Sequence, residues 1–63
     1  MTQETAEQIA AVWDEIIEET NDELSTEQMI ARTRQTAEMR GILKRINDCD
    51  VAEALWIMEQ KKQ

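Results

Sequence analysis

The stretch Leu24-Ser25-Thr26-Glu27-Gln28-Met29 marks the start of a helix in the middle of the chain. Ser25 at the N-cap and Gln28 three residues later have the spacing of a capping box, in which each side chain bonds the other residue's backbone N–H. Leu24 and Met29 flank them at the spacing of a hydrophobic staple. The pattern predicts that one helix ends near residues 21–23 and that a second begins directly after Ser25. Because the joint is short, we expect the two helices to be antiparallel neighbours.

The sequence before this joint has the periodicity of an amphipathic helix. Its apolar side chains recur every three or four residues and form one stripe centred on Trp13. The stripe consists of Ala6, Ile9, Ala10, Trp13, Ile16, Ile17 and Leu24, with Val12 on one flank. The pattern predicts a helix over about 3–22 that begins near Thr2 or Thr5, since Thr5–Gln8 also fits a capping box.

Two further helices are predicted, over about 26–46 and 51–61. The apolar face of the second drifts near Gly41, which indicates either a tolerated glycine or a kink or close helix crossing. Asp48 or Asp50 is expected to cap the third helix. The run Leu55-Trp56-Ile57-Met58 is apolar almost all round, which is typical of a helix buried on more than one side. We therefore predict an all-α fold in a single domain, 1–63, built from a helical hairpin and a C-terminal helix.

The size of the chain makes a lone copy marginal. For 63 residues and 7.4 kDa, apolar burial contributes about 100 kcal/mol and chain ordering costs about 95 kcal/mol. One cysteine and no histidine exclude an internal disulfide and a classical zinc site. We therefore predict a symmetric helical homodimer. Its expected interface residues are Met39, Ile42, Ile46, Leu55, Trp56 and Ile57.

Charge is distributed unevenly along the chain. Residues 1–24 hold eight acids and no base, whereas residues 25–46 hold two acids and five bases, and the whole chain carries −7. This balance argues against nucleic acid or an anionic membrane as a direct partner. The first helix has an acidic outer face, which is either simply solvated, or a docking surface for a basic protein patch, or an imitation of DNA phosphates. The face comprises Glu4, Glu7, Asp14, Glu15, Glu18 and Asp22.

Nothing in the sequence has the pattern of an active site. The thiol of Cys49 lies among carboxylates, which disfavour the thiolate, and no histidine is present as a base. The acids of residues 48–53 lack the glycine and the distal glutamate of a calcium loop. We therefore predict a non-enzymatic protein without catalytic, cofactor-binding or metal-binding residues. Cys49 is expected to be either buried and inert or close to a two-fold axis, where oxidation would form an intersubunit disulfide.

Two further expectations concern tryptophan and location. Trp13 and Trp56 are the whole aromatic complement, and each is interpreted as a core anchor, with a binding hot spot as the alternative for Trp56. No apolar run is long enough for a membrane span, and no signal peptide is recognisable. These features predict a cytoplasmic protein.

Three segments carry a resemblance to a known family. They are Met1-Thr2-Gln3-Glu4-Thr5, the stretch 24–29 quoted above, and Asp50-Val51-Ala52-Glu53-Ala54-Leu55-Trp56. The full-length chain resembles the small acidic early protein encoded in the exo–xis region of lambdoid bacteriophages. The resemblance implies an all-helical homodimer, made early in infection, that favours lytic development over lysogeny by perturbing host functions. It implies no catalytic residues.

Overall fold

A computed structural model of the chain describes residues 1–61, and these contain three helices and no strand. The helices are α1 (Gln3–Thr20), α2 (Thr26–Met39) and α3 (Asp48–Lys61). Both α2 and α3 pack against α1, and α3 does so more extensively. The prediction of an all-helical chain with three helices is therefore confirmed. The end of α2 and the start of α3 differ from the predicted positions.

The first helix begins at the earlier of the two threonines. The side chain of Thr2 accepts a hydrogen bond from the backbone N–H of Thr5, at 3.1 Å, so Thr2 is the N-cap and Thr5 lies inside the helix. The capping box expected over Thr5–Gln8 is therefore wrong. At the other end Asn21 adopts a left-handed backbone (φ 54°) and its N–H donates to the carbonyl of Ile17. This conformation ends α1 at Thr20, close to the predicted position.

The joint between α1 and α2 forms as predicted. The Ser25 hydroxyl accepts from the N–H of Gln28 at 3.3 Å, and the Gln28 side chain accepts from the N–H of Ser25 at 3.0 Å. Leu24 and Met29 pack in one apolar cluster, which confirms the hydrophobic staple. The box and the staple therefore fix where the chain turns back.

The second helix ends at Met39, so the predicted extension to residue 46 is wrong. Gly41 takes a left-handed conformation (φ 71°), which costs glycine little. The N–H of Gly41 bonds the carbonyl of Glu38 at 3.1 Å, and that of Ile42 bonds Ala37 at 3.0 Å. This pair of bonds is a Schellman motif. Gly41 is thus a helix terminator, not a tolerated interior glycine or a kink.

The third helix begins earlier than predicted, at Asp48 instead of residue 51. The side chain of Asn47 accepts from the N–H of Asp50 at 3.0 Å, and the Asp50 carboxylate accepts from the N–H of Asn47 at 2.9 Å. Asn47 is therefore the capping residue and Asp50 its reciprocal partner. The expectation that Asp48 or Asp50 serves as N-cap is wrong, because both carboxylates lie inside the first turn.

The interior consists of two adjoining apolar clusters. One joins the first half of α1 to the end of α2, to the 40–47 connection and to α3, and contains Ala6, Ile9, Ala37, Ile46, Val51 and Ala54. The other contains Val12, Ile16 and Met29. The start of α2 thus lies beside the later half of α1, and its end lies beside the earlier half, as expected for antiparallel neighbours.

The buried face of α1 is rotated from the predicted one. Trp13 was the expected centre of the stripe, but it is only half-buried and packs against both clusters. Val12, expected on the flank, is buried instead. The reason is that α2 and α3 cover two different flanks of α1, which places the centre of burial between them.

One polar side chain lies wholly inside this interior. Thr33, in the middle of α2, has 0% exposure, and its hydroxyl has no hydrogen-bond partner among the described residues. A buried hydroxyl without a partner costs on the order of 1–3 kcal/mol relative to a satisfied one. Thr33 therefore weakens the core that it helps to fill.

We expect Thr33→Val to stabilise the protein by about 1 kcal/mol, because valine keeps the shape and removes the unsatisfied hydroxyl. Thr33→Ser is the matched control, since it keeps the hydroxyl, removes the methyl group and should destabilise. Urea unfolding followed by circular dichroism measures both. A less stable valine variant would show that the hydroxyl is satisfied in solution.

Candidate functional site

Five of the six predicted acidic-face residues lie on one side of α1. With about 100° between successive residues, these carboxylates lie opposite the buried Ile9 and Ile16. Asp22 does not continue the row, because it follows the end of α1 with a left-handed backbone (φ 57°). The five residues on the helix, which we call the acidic face, are Glu4, Glu7, Asp14, Glu15 and Glu18.

Two members of the acidic face bind bases from the other helices. Glu15 accepts a hydrogen bond from the Arg40 guanidinium at 2.7 Å. Glu7 accepts from the ammonium group of Lys61 at the end of α3. The two pairs lie on opposite flanks of α1, so one tethers the end of α2 and the other tethers the end of α3.

The pairs also change proton affinities. The hydrogen bond from Lys61, with its positive charge, lowers the pKa of Glu7 below its ordinary value. The hydrogen bond to Glu15, with its negative charge, raises the pKa of Arg40. Two of the five carboxylates of the acidic face are thus already paired with cationic side chains of the same chain. Within residues 1–61 the salt bridges leave Glu4, Asp14 and Glu18 without a basic partner.

The six predicted interface residues do not form one surface. Ile46 is only 6% exposed and belongs to the chain's own core. Ile42, Leu55 and Ile57 are half-buried against the same core. Within the run 55–58, Leu55, Ile57 and Met58 are thus partly covered by the protomer, and Trp56 is exposed. A role of these residues in a subunit interface stays a prediction.

Two of the six remain open to solvent. Met39 is 86% exposed at the end of α2, and Trp56 is 59% exposed on α3. The interpretation of Trp56 as a core anchor is therefore wrong. That interpretation relied on the size and apolar character of tryptophan. Because Val51 and Ala54 are the buried residues of α3, the helical repeat places Trp56 on the outer side of the helix.

Cys49 shares the outer side of α3 with Trp56. It is a free, exposed cysteine, seven residues or two helical turns before Trp56. The alternative of a buried, inert Cys49 is therefore wrong, and the intersubunit disulfide stays a prediction.

A groove between α1 and α3 was missed by the sequence analysis. It has a volume of about 440 Å³ and is lined by Ala10, Asp14, Leu55, Met58 and Glu59. Its floor is apolar and half-buried, whereas its two carboxylates are exposed. The sequence did contain one signal, since Ala6 and Ala10 are the two small residues in an otherwise bulky stripe.

A second concavity, of about 350 Å³, lies along α2 and is lined by Leu24, Gln28, Ala31, Arg32 and Gln35.

Across residues 1–61, no cluster of three or more histidine, cysteine, aspartate or glutamate side chains has a metal-binding arrangement. Over the same residues, no helix has both the length and the apolar character needed to cross a membrane.

Comparisons of the chain with protein-family models, with curated proteins and with solved structures found no match. The class defined by fold and surface is thus a small acidic three-helix protein. Its likeness to the phage family stays a prediction from the three quoted segments.

The ion pair between Glu7 and Lys61 gives a test of this geometry. Because the folded-state pKa of Glu7 is lowered, its stabilising contribution is present at neutral pH and is lost as the pH falls through that value. We expect Lys61→Gln to bring the pKa of Glu7 back toward its ordinary value, measured by carboxyl carbon NMR during a pH titration. Lys44→Gln, which changes charge by the same amount, should leave it unchanged. Equal titration of Glu7 in all three proteins would contradict the pair.

Proposed function

We propose that this protein is a non-enzymatic accessory regulator of a bacteriophage, made early in infection. In this proposal it acts in the host cytoplasm by binding a basic surface of a host protein, and it favours lytic development over lysogeny. The phage context is supported by the resemblance of the three segments quoted above. The mode of action is supported by the structure of α1.

The observation that carries the mode of action is the pairing of Glu7 with Lys61 and of Glu15 with Arg40. These pairs, made within the chain, support the proposal that the same row of carboxylates binds lysine or arginine side chains of a partner. A single exposed pair contributes only about 0.2–1 kcal/mol. A partner must therefore engage several carboxylates together, and its binding must weaken as salt concentration rises.

Imitation of DNA is the alternative, and the spacing of the charges argues against it. The acidic face spans Glu4 to Glu18, about 21 Å at a rise of about 1.5 Å per residue. Its carboxylates follow one another at about 5 Å, whereas duplex DNA carries one charge per about 1.7 Å of axis. So low a charge density suits a basic protein surface better than a site built for phosphates.

The proposal includes a symmetric homodimer. Its support is the exposure of Trp56 and Met39, two large apolar side chains whose burial would each contribute about 1.5–3 kcal/mol. The same observation would suit a third function, a structural assembly module. That alternative depends on the dimer and does not need the acidic face.

We expect Trp56→Gln to raise the fraction of monomer in sedimentation without unfolding the chain, because the indole is mostly outside the protomer's core. Glu53→Gln, one turn away on the same helix, is the control and should leave the mass unchanged. A Trp56→Gln protein with the mass of the parent would remove Trp56 from any interface.

The functional prediction uses a phage that carries variants of this gene. Neutralising Glu4 and Glu18 to the corresponding amides should raise lysogeny frequency to the level of a phage with a stop codon in the gene. The matched control neutralises Glu27 and Glu38, which changes net charge equally and lies off the acidic face. Circular dichroism checks that both variants fold.

The three candidate functions predict different experimental results. Equal effects of the two double variants would contradict a role for the acidic face. Normal activity of both, with loss of activity in Trp56→Gln, would instead support the assembly module. When host proteins are captured on the immobilised protein, their release by duplex DNA would support imitation of DNA.

A further inference from the structure

We infer that the groove between α1 and α3 binds an amphipathic basic segment of the partner protein. An aliphatic side chain of that segment lies over Ala10, Leu55 and Met58, and a lysine or arginine side chain reaches Asp14 and Glu59. The inference rests on the proposed function and adds to it a defined site and a chemistry for the occupant.

The groove lies between two rows of side chains that run in opposite directions. On α1 the row is Glu7, Ala10 and Asp14, at intervals of three and four residues. At one end of the groove Glu7 binds Lys61 of α3. At the other end Asp14 and Leu55 line the same space. Asp14 and Glu7 thus belong to the same row of α1. Glu7 is paired with the ammonium group of Lys61, whereas Asp14 shares the groove with the apolar side chain of Leu55.

The charges of the lining select a cationic occupant. Asp14 and Glu59 are both exposed, neither takes part in a salt bridge within residues 1–61, and the lining contains no base. Phosphate groups and acidic peptides are repelled by such a rim. A lysine or arginine supplies both parts that the groove requires, an aliphatic stem for the floor and a charged head for the rim.

The floor provides the contact area that surface charge lacks. Leu55 and Met58 are half-buried, so each offers apolar surface at its open side, and the flexible thioether of Met58 adapts to differently shaped neighbours. Ala10 leaves the space above them open because its side chain is a single methyl group.

The probe is a blocked amphipathic peptide in which leucines repeat at helical spacing with arginines beside them. Its counterpart has glutamine in place of arginine. Titration into the full-length protein, followed by the methyl NMR signals of Met58 and Ala10, should give saturable shifts with the arginine peptide only. Asp14→Asn combined with Glu59→Gln should weaken binding about 2- to 30-fold, as expected for two exposed pairs. Glu27→Gln combined with Glu53→Gln is the control of equal charge and should change it little.

A second pair of variants tests the apolar floor without changing charge. Ala10→Leu fills the groove and should abolish the methyl shifts, whereas Ala11→Leu, on the exposed side of the same turn, should retain them. Equal weakening by both charge pairs would mean that the peptide is attracted only by the net charge, which overturns the inference. A change of protomer mass in Ala10→Leu, without loss of peptide binding, would assign the groove to a second copy and overturn it as well.

Failure here is distinguishable from failure of the proposed function. Glu4 and Glu18, whose neutralisation tests the function, do not line the groove. If their neutralisation abolishes phage activity while Ala10→Leu has no effect on activity or peptide binding, the proposed function stands and the groove inference is wrong.

Discussion

The whole structure depends on α1 being the common packing partner of the other two helices. A chain of 63 residues has material for only one small core, and α2 and α3 pack against adjoining flanks of the buried face of α1. Because Ile9 and Val12 are completely enclosed by this arrangement, the opposite side of α1 is left to water. The acidic face is the direct result, since charged side chains are stable only where they stay hydrated or paired.

Local signals in the sequence predicted the parts of the fold that depend on neighbouring residues alone. The joint at Ser25 was predictable because both hydrogen bonds and the staple join residues at most five positions apart. The end of α2 was not, since the apolar pattern continues through Ile42 and Ile46, and only the left-handed backbone of Gly41 shows that they belong to the connection. At α3, Asn47 and two nearby aspartates are all good caps, and the packing of Val51 decides among them by setting where the helix must lie.

The candidate site divides in the same way. The position of the acidic face follows from helical periodicity, but its two ion pairs do not. Glu7 and Lys61 are 54 residues apart in sequence, so their contact exists only because α3 returns along α1. The groove has the same origin, and so has the burial of Ile46 that was expected in an interface. The apolar pattern of a single helix does not show which of its flanks another helix will cover.

The energetics of exposed charges explain why the binding that we propose combines charge with apolar contact. Complementary charge at an exposed face speeds association and selects partners, but it adds little affinity. The free carboxylates Glu4 and Glu18 lie away from any apolar side chain of the groove, so they can orient a basic partner without holding it. Asp14 is the member of the acidic face that also lines the groove, next to Leu55. In the complex that we infer, Asp14 is therefore the residue at which the attraction between opposite charges coincides with burial of apolar surface.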